Sequence, residues 1–167
     1  MEVAKKQLEL IFKQLNERVD FINKERLEEG GLRISRAEVR LLGQMSLLVN
    51  KKVSAILSLA QTADIDAQLD MDSVVKKELT SILKKYGLIY DEDSKLIWIP
   101  PGAKFEILFD LKNVVVKSID PESALVSKAV KAPEKNKQLI REAIASGKFK
   151  TLIARIEKNG GKLEFFA

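Results

Sequence analysis

Residues 61–69, Gln61-Thr62-Ala63-Asp64-Ile65-Asp66-Ala67-Gln68-Leu69, are the stretch on which the fold turns. In an extended strand successive side chains alternate between faces. Asp64 and Asp66 then share one side, and Ile65 turns to the other, toward a core. Two carboxylates on one edge of a short strand make a hard-oxygen site suited to Mg²⁺. The spacing alone is common, and a polar strand end or a turn explains it as well.

The flanking sequence narrows the choice. Upstream, Glu38-Val39-Arg40-Leu41-Leu42 ends at Gly43-Gln44, and Met45-Ser46-Leu47-Leu48-Val49 opens a helical pattern. Downstream, Phe105-Glu106-Ile107-Leu108-Phe109 is a strand pattern holding an acid, and Ile119-Asp120-Pro121-Glu122-Ser123-Ala124-Leu125-Val126-Ser127-Lys128 follows. The order of glycine turn, helix, Asp-x-Asp strand and later acidic strand resembles the polymerase-beta-like palm of the nucleotidyltransferases. The Asp-Pro-Glu…Lys segment is similar to that of minimal, AbiEii-type nucleotidyltransferases. The likeness spans roughly residues 38–145, and its specific parts are the Asp-x-Asp and Asp-Pro-Glu…Lys segments.

The resemblance implies an α+β fold: a nucleotidyltransferase-like palm with a mixed sheet flanked by helices. It implies one domain over 1–167, with an N-terminal helical extension at 1–36 and a C-terminal helical segment at 120–167. Asp64, Asp66 and Glu106 would hold Mg²⁺, with Asp110 as the reserve for Glu106. Gly43, Gln44 and Ser46 would meet the phosphates of a nucleoside triphosphate, and Lys128 would be a point charge beside them. The reaction would transfer a nucleotide to an acceptor, RNA among the candidates, in the manner of relatives that act as toxins of toxin–antitoxin pairs. The chain departs from the family pattern at Gln44, which stands where Gly or Ser is usual. Nineteen residues separate Gln44 from Asp64, a long spacer. Lys135-Asn136-Lys137-Gln138 stands where relatives often carry acids. These departures define the alternative, a catalytically inactive relative that binds a nucleotide, RNA or a protein partner. A third reading is a scaffold that docks through its N-terminal helix.

Composition bounds the chemistry. A chain of 167 residues with 46% hydrophobic and 32% charged residues is about one domain with a substantial core. It has no cysteine and no histidine, which excludes disulfides, thiolate nucleophiles, Ser-His-Asp triads and His-ligated zinc. Carboxylates, lysines and a bound metal remain, and they suit phosphoryl and nucleotidyl transfer. The absence of an apolar signal core or membrane-length run leads to the expectation of a cytoplasmic protein without membrane contact. With 29 basic against 24 acidic residues the net charge is +5, a modest pull toward polyanions.

Periodicity places the elements. Leu8, Ile11, Leu15, Val19 and Ile22 share one face of a helix over 3–29. Ser35 with Glu38 has the form of a capping box, in competition with a strand over 39–42. A helix runs from Met45 toward Ala60, interrupted at Asn50-Lys51-Lys52. Asp72 caps a helix over 73–86. A hairpin is expected from 88–90 and 96–99 around Asp91-Glu92-Asp93-Ser94-Lys95. Strands follow over 104–111 and 114–119. Alternation would put Phe105, Ile107 and Phe109 on one face of the first of these, with Glu106, Leu108 and Asp110 on the other. Asp120 caps a helix that Pro121 opens. Two more helices, 134–146 and 150–158, and a short terminal strand over 163–166 complete the chain.

Overall fold

Apolar residues at every third or fourth position make Glu2–Glu28 one long helix, α1. Its expected stripe is buried at Leu8, Ile11, Leu15 and Val19, and Phe12 joins it. The computed structural model describes residues 2–167. The chain continues through strand β1 (Ala37–Leu41) into helices α2 (Gly43–Leu48) and α3 (Lys51–Ser54). Strands β2 (Asp64–Ile65) and β3 (Ala67–Asp70), helix α4 (Ser73–Lys85) and strand β4 (Ile89–Tyr90) follow. Strands β5 (Phe105–Asp110) and β6 (Val114–Ile119) then lead to helices α5 (Pro121–Lys131), α6 (Lys137–Ser146) and α7 (Leu152–Lys158).

The main sheet has the order β3-β1-β6-β5. β1 runs parallel to β6 and antiparallel to β3, and β5 is antiparallel to β6. The fold is therefore α+β, with a four-stranded mixed sheet flanked by helices. α1 and α4 cover one face, where Val39, Leu41, Ala67, Val114 and Val116 are buried. Phe12 on α1 meets Phe109 on β5 with ring centroids 6.3 Å apart. A second core gathers at the end of the sheet around Leu125, Val126, Ile140, Leu152 and Ile156 of α5, α6 and α7. No helix among the described residues is long and apolar enough to cross a membrane.

Several local expectations are met for local reasons. Asp72 caps α4 by accepting from the Val74 N–H at 2.8 Å. β1 is a strand, not a helix capped by Ser35, because both its edges are paired. The segment from Met45 toward Ala60 breaks at the expected interruption into two short helices, the second of which ends at Ser54. The Asn50 side chain accepts from the N–H groups of Lys52 and Val53, at 3.1 and 3.2 Å, and so starts a new helix there.

Three expectations are overturned. The hairpin over 88–99 does not form. β4 pairs in parallel with β2, and Asp91 caps a 3-10 turn over Glu92–Leu96 by accepting from the Asp93 N–H. Turn-forming residues such as these serve a 3-10 turn as readily as a hairpin. Residues 163–166 form a 3-10 turn instead of a strand. A register shift between Ile107 and Phe109 breaks the alternation of β5. Phe109 is buried, whereas Ile107 is 59% exposed. Such a bulge inserts a residue and moves the following side chains to the other face.

Asp120 does two jobs at the junction of β6 and α5. Its carboxylate accepts from the Ser123 N–H at 3.0 Å, capping α5, and from the Lys104 N–H at 2.8 Å. We expect Asp120→Ala to cost about 1–2 kcal/mol in urea unfolding, since both donors lose their acceptor. Asp120→Asn should cost less, because the amide oxygen still accepts.

Candidate functional site

β2 and β3 are separated by a single residue, Asp66, at which the chain leaves the small β2–β4 sheet and joins the main one. The Leu42 N–H donates to the Asp66 carbonyl at 2.8 Å, so the β1–β3 ladder extends by one step. Gly43 follows with φ of +57°, a left-handed conformation. A Cβ there would lie 2.4 Å from Asp66 Oδ2. Gly43 is thus required twice, for its backbone angle and for the space that the Asp66 carboxylate fills.

A second acid stands beside Asp66. β2 and β4 are in parallel register, Asp64 with Ile89 and Ile65 with Tyr90. Asp91 donates its N–H to the Ile65 carbonyl at 3.0 Å, which puts Asp66 and Asp91 one step beyond the last pair. Neighbouring strands lie about 4.8 Å apart and registered side chains share a face. The two carboxyl groups are accordingly close enough to act on each other. Burial raises the Asp66 pKa above its usual 3.8, and the charge of Asp91 and a hydrogen bond with it raise it further. Lys128 opposes the shift, and the charge of Asp64 adds the smallest contribution.

Both acids line a cleft of about 580 Å³. Its lining also includes Lys128 and Lys131 of α5, Lys135 just beyond it, and the apolar Leu96, Ile97 and Trp98. Burial lowers the pKa of Lys128, the charge of Lys135 lowers it further, and the carboxylate of Asp66 pulls it back up. Lys131 places its ammonium 5.2 Å from the centroid of the Trp98 ring. The cleft therefore gathers the Asp66–Asp91 pair, a further acid at Asp93, three lysines and apolar side chains in one lining.

The residues expected from the sequence divide. Gly43, Asp66 and Lys128 line this cleft. Asp64 is exposed and lies outside its lining. Glu106 does not join the aspartates. It pairs across the sheet with Ser118, which is in register with Leu41, and Leu41 with Ala67. All four share the face covered by α1, whereas Asp66, one residue before Ala67, points to the other face. Glu106 instead borders a separate concavity with Lys5 and Asn50. Asp110, the reserve, is at the far end of the sheet and pairs with Arg36. Gln44 donates its amide to the Ala60 carbonyl at 2.8 Å. Ser46 is buried and donates to the Gly43 carbonyl at 2.6 Å, so its hydroxyl is turned inward.

Asp91, Trp98, Lys131 and Lys135 escaped the sequence reading. The lysines at steps of three and four residues after Lys128 were a legible sign of one lined face. Asp91 was hidden by its plausibility as a turn residue.

Among the described residues, no three acidic, histidine or cysteine side chains converge as a metal cluster. Two carboxylates still fit Mg²⁺, which is commonly held by one or two carboxylates together with substrate phosphates. The raised pKa of Asp66 marks a pair that a cation would relieve.

That pKa has a consequence for stability. A carboxyl group with a raised folded-state pKa contributes stability that is present below its unfolded pKa and lost as pH rises through the folded one. Without divalent metal, Asp66→Asn should therefore match the wild type in Tm below about pH 3.5 and exceed it toward pH 7. The gain should be a few degrees at most, because a half-buried carboxylate is still partly solvated. A wild-type protein that melts above Asp66→Asn at pH 7 would contradict the unfavourable pairing.

The fold and cleft define an α+β protein with a mixed sheet and an acid–lysine cleft at one end of it. No protein-family model, curated protein or solved structure matches the chain.

Proposed function

We propose that the chain is a nucleotidyltransferase-like palm that binds a nucleoside triphosphate in this cleft and transfers the nucleotide to an acceptor such as RNA. The observation that carries the reading is that the pair Asp66 and Asp91 lines one cleft with Lys128, Lys131 and Lys135, with Lys128 near enough to Asp66 for their charges to act on each other. A ligand that satisfies both sets of charges presents several negative charges to the lysines and shares a cation with the acids. Asp66 and Asp91 would hold Mg²⁺, which when bound supplies neutralisation of charge on the phosphates. Lys128, close enough to Asp66 to feel its charge, holds phosphate oxygens. Gly43 lets the Asp66 carboxylate sit against the backbone at the end of β1. The resemblance in element order and in the Asp-Pro-Glu…Lys segment supports the same reading.

A second reading, binding without transfer, draws on two observations. Glu106 lies on the opposite face of the sheet, and the Gln44 amide is engaged by Ala60. One experiment separates the two. The protein is incubated with Mg²⁺, each labelled nucleoside triphosphate in turn, and total RNA. The transferase reading expects labelled RNA, and loss of the label with Asp66→Asn. Nucleotide binding by calorimetry with no labelling from any of the four triphosphates would favour the binding protein.

A further inference from the structure

We infer that Trp98 is the stacking platform for a nucleobase, so that the cleft takes a nucleoside polyphosphate in preference to a bare polyphosphate or a sugar phosphate. The inference rests on the phosphate-binding reading above and extends it to the other end of the ligand.

The Trp98 backbone is held beside the cations. The Ser127 hydroxyl donates to the Trp98 carbonyl at 2.6 Å, one residue before Lys128. Trp98 is thereby tied to the helix that carries Lys128 and Lys131, and it lines the same cleft as Asp66. Leu96, at 76% exposure, continues the apolar lining. Trp98 is half-buried against the second core, yet it also lines the cleft, so part of the indole is presented beside lysines and acids whose own ligands would be a phosphate and a cation. A flat heterocycle fits that surface.

The contact made by Lys131 fits the same assignment. Its ammonium lies 5.2 Å from the centre of the Trp98 ring. The ring therefore has a face that a small charged group reaches. An exposed cation–π contact is weaker than base–aromatic stacking, so a base would displace the ammonium. Lys131 would then be released toward the phosphates, beside Lys128 and Lys135. One side chain would cover the ring without ligand and neutralise charge with it.

Trp98 is the only tryptophan in the chain, so its fluorescence reports on this position alone. Binding of Mg²⁺–ATP, –GTP, –CTP and –UTP and of inorganic tripolyphosphate is measured by calorimetry on wild type, Trp98→Leu and Trp98→Phe, with circular dichroism to check folding. Leucine keeps an apolar side chain against the second core, with some loss of packing, and removes the aromatic face, whereas phenylalanine keeps a face. Trp98→Leu should weaken at least one nucleoside triphosphate about tenfold or more while leaving tripolyphosphate unchanged. Trp98→Phe should recover most of that loss. The same nucleotide should change the Trp98 fluorescence of the wild type saturably. Equal losses for nucleotide and tripolyphosphate, or no loss for either, would overturn the stacking role and leave the phosphate site standing. Failure of the wild type to bind any of these ligands would overturn both.

Discussion

Under the proposed transfer reading, Asp91→Asn should reduce nucleotidyl transfer at least about a hundredfold, while Glu106→Gln leaves it within about twofold of wild type. The contrast is the strongest test of the site, because Glu106 is the acid that the family resemblance selects and Asp91 the one that the geometry selects. Asparagine is the informative replacement. The Asp91 side chain also accepts from the Asp93 N–H at 2.9 Å, and an amide oxygen still fills that role. Its backbone N–H still donates to Ile65, so the β2–β4 pairing survives. What disappears is one negative charge next to Asp66. A cation shared by the two groups loses a ligand, and the Asp66 carboxyl loses the neighbour that helps hold its pKa up. The transfer assay with Mg²⁺ and labelled nucleotide, at equal Tm for all variants, reads the outcome. Loss of activity in Glu106→Gln with full activity in Asp91→Asn would transfer the third-acid role back to β5.

Gly43→Ala should lower both stability and ligand binding. An L-residue at φ of +57° costs about 1–2 kcal/mol by itself. The added methyl would also stand 2.4 Å from Asp66 Oδ2, with the Cγ at 3.1 Å, so the carboxylate must turn away. A total of about 2–3 kcal/mol corresponds to a fall in Tm of roughly 4–12 °C for a chain of this size. Nucleotide affinity should fall with it, since the displaced group is the one that faces Lys128. A double variant separates the two causes. With Asp66→Ala in the background, Gly43→Ala should cost only the backbone part, and the difference between the backgrounds measures the clash. An equal cost in both backgrounds would mean that Asp66 already sits clear of Gly43.

Much of the fold was legible because it is local. The stripe at Leu8, Ile11, Leu15 and Val19 repeats within one helix. Asp72 and Asp120 cap helices through N–H groups two and three residues downstream, and the β-branched run Val114-Val115-Val116 reads as a strand without reference to any other segment. Asp66 and Gly43 were legible as candidate site residues for the same reason, since an Asp-x-Asp spacing and a glycine after an apolar strand are short-range patterns, although Asp64 lies outside the cleft. The second acid was not. Asp91 reaches Asp66 only through parallel pairing of residues 64–65 with 89–90, and short parallel pairings leave no period in either segment. The bulge between Ile107 and Phe109 likewise depends on β6.

The sequence by itself determined most of the helices, the caps at Asp72 and Asp120, the main strands and the chemistry open to a chain with neither cysteine nor histidine. Only the tertiary structure decided which charges meet. Sheet order and register set the face on which a strand residue lies, and both are properties of pairs of segments distant along the chain. They put Glu106 on the far side of the sheet from Asp66, and they brought Asp66, Lys128 of α5, and Asp91 and Trp98 from the segment around the 3-10 turn to one cleft.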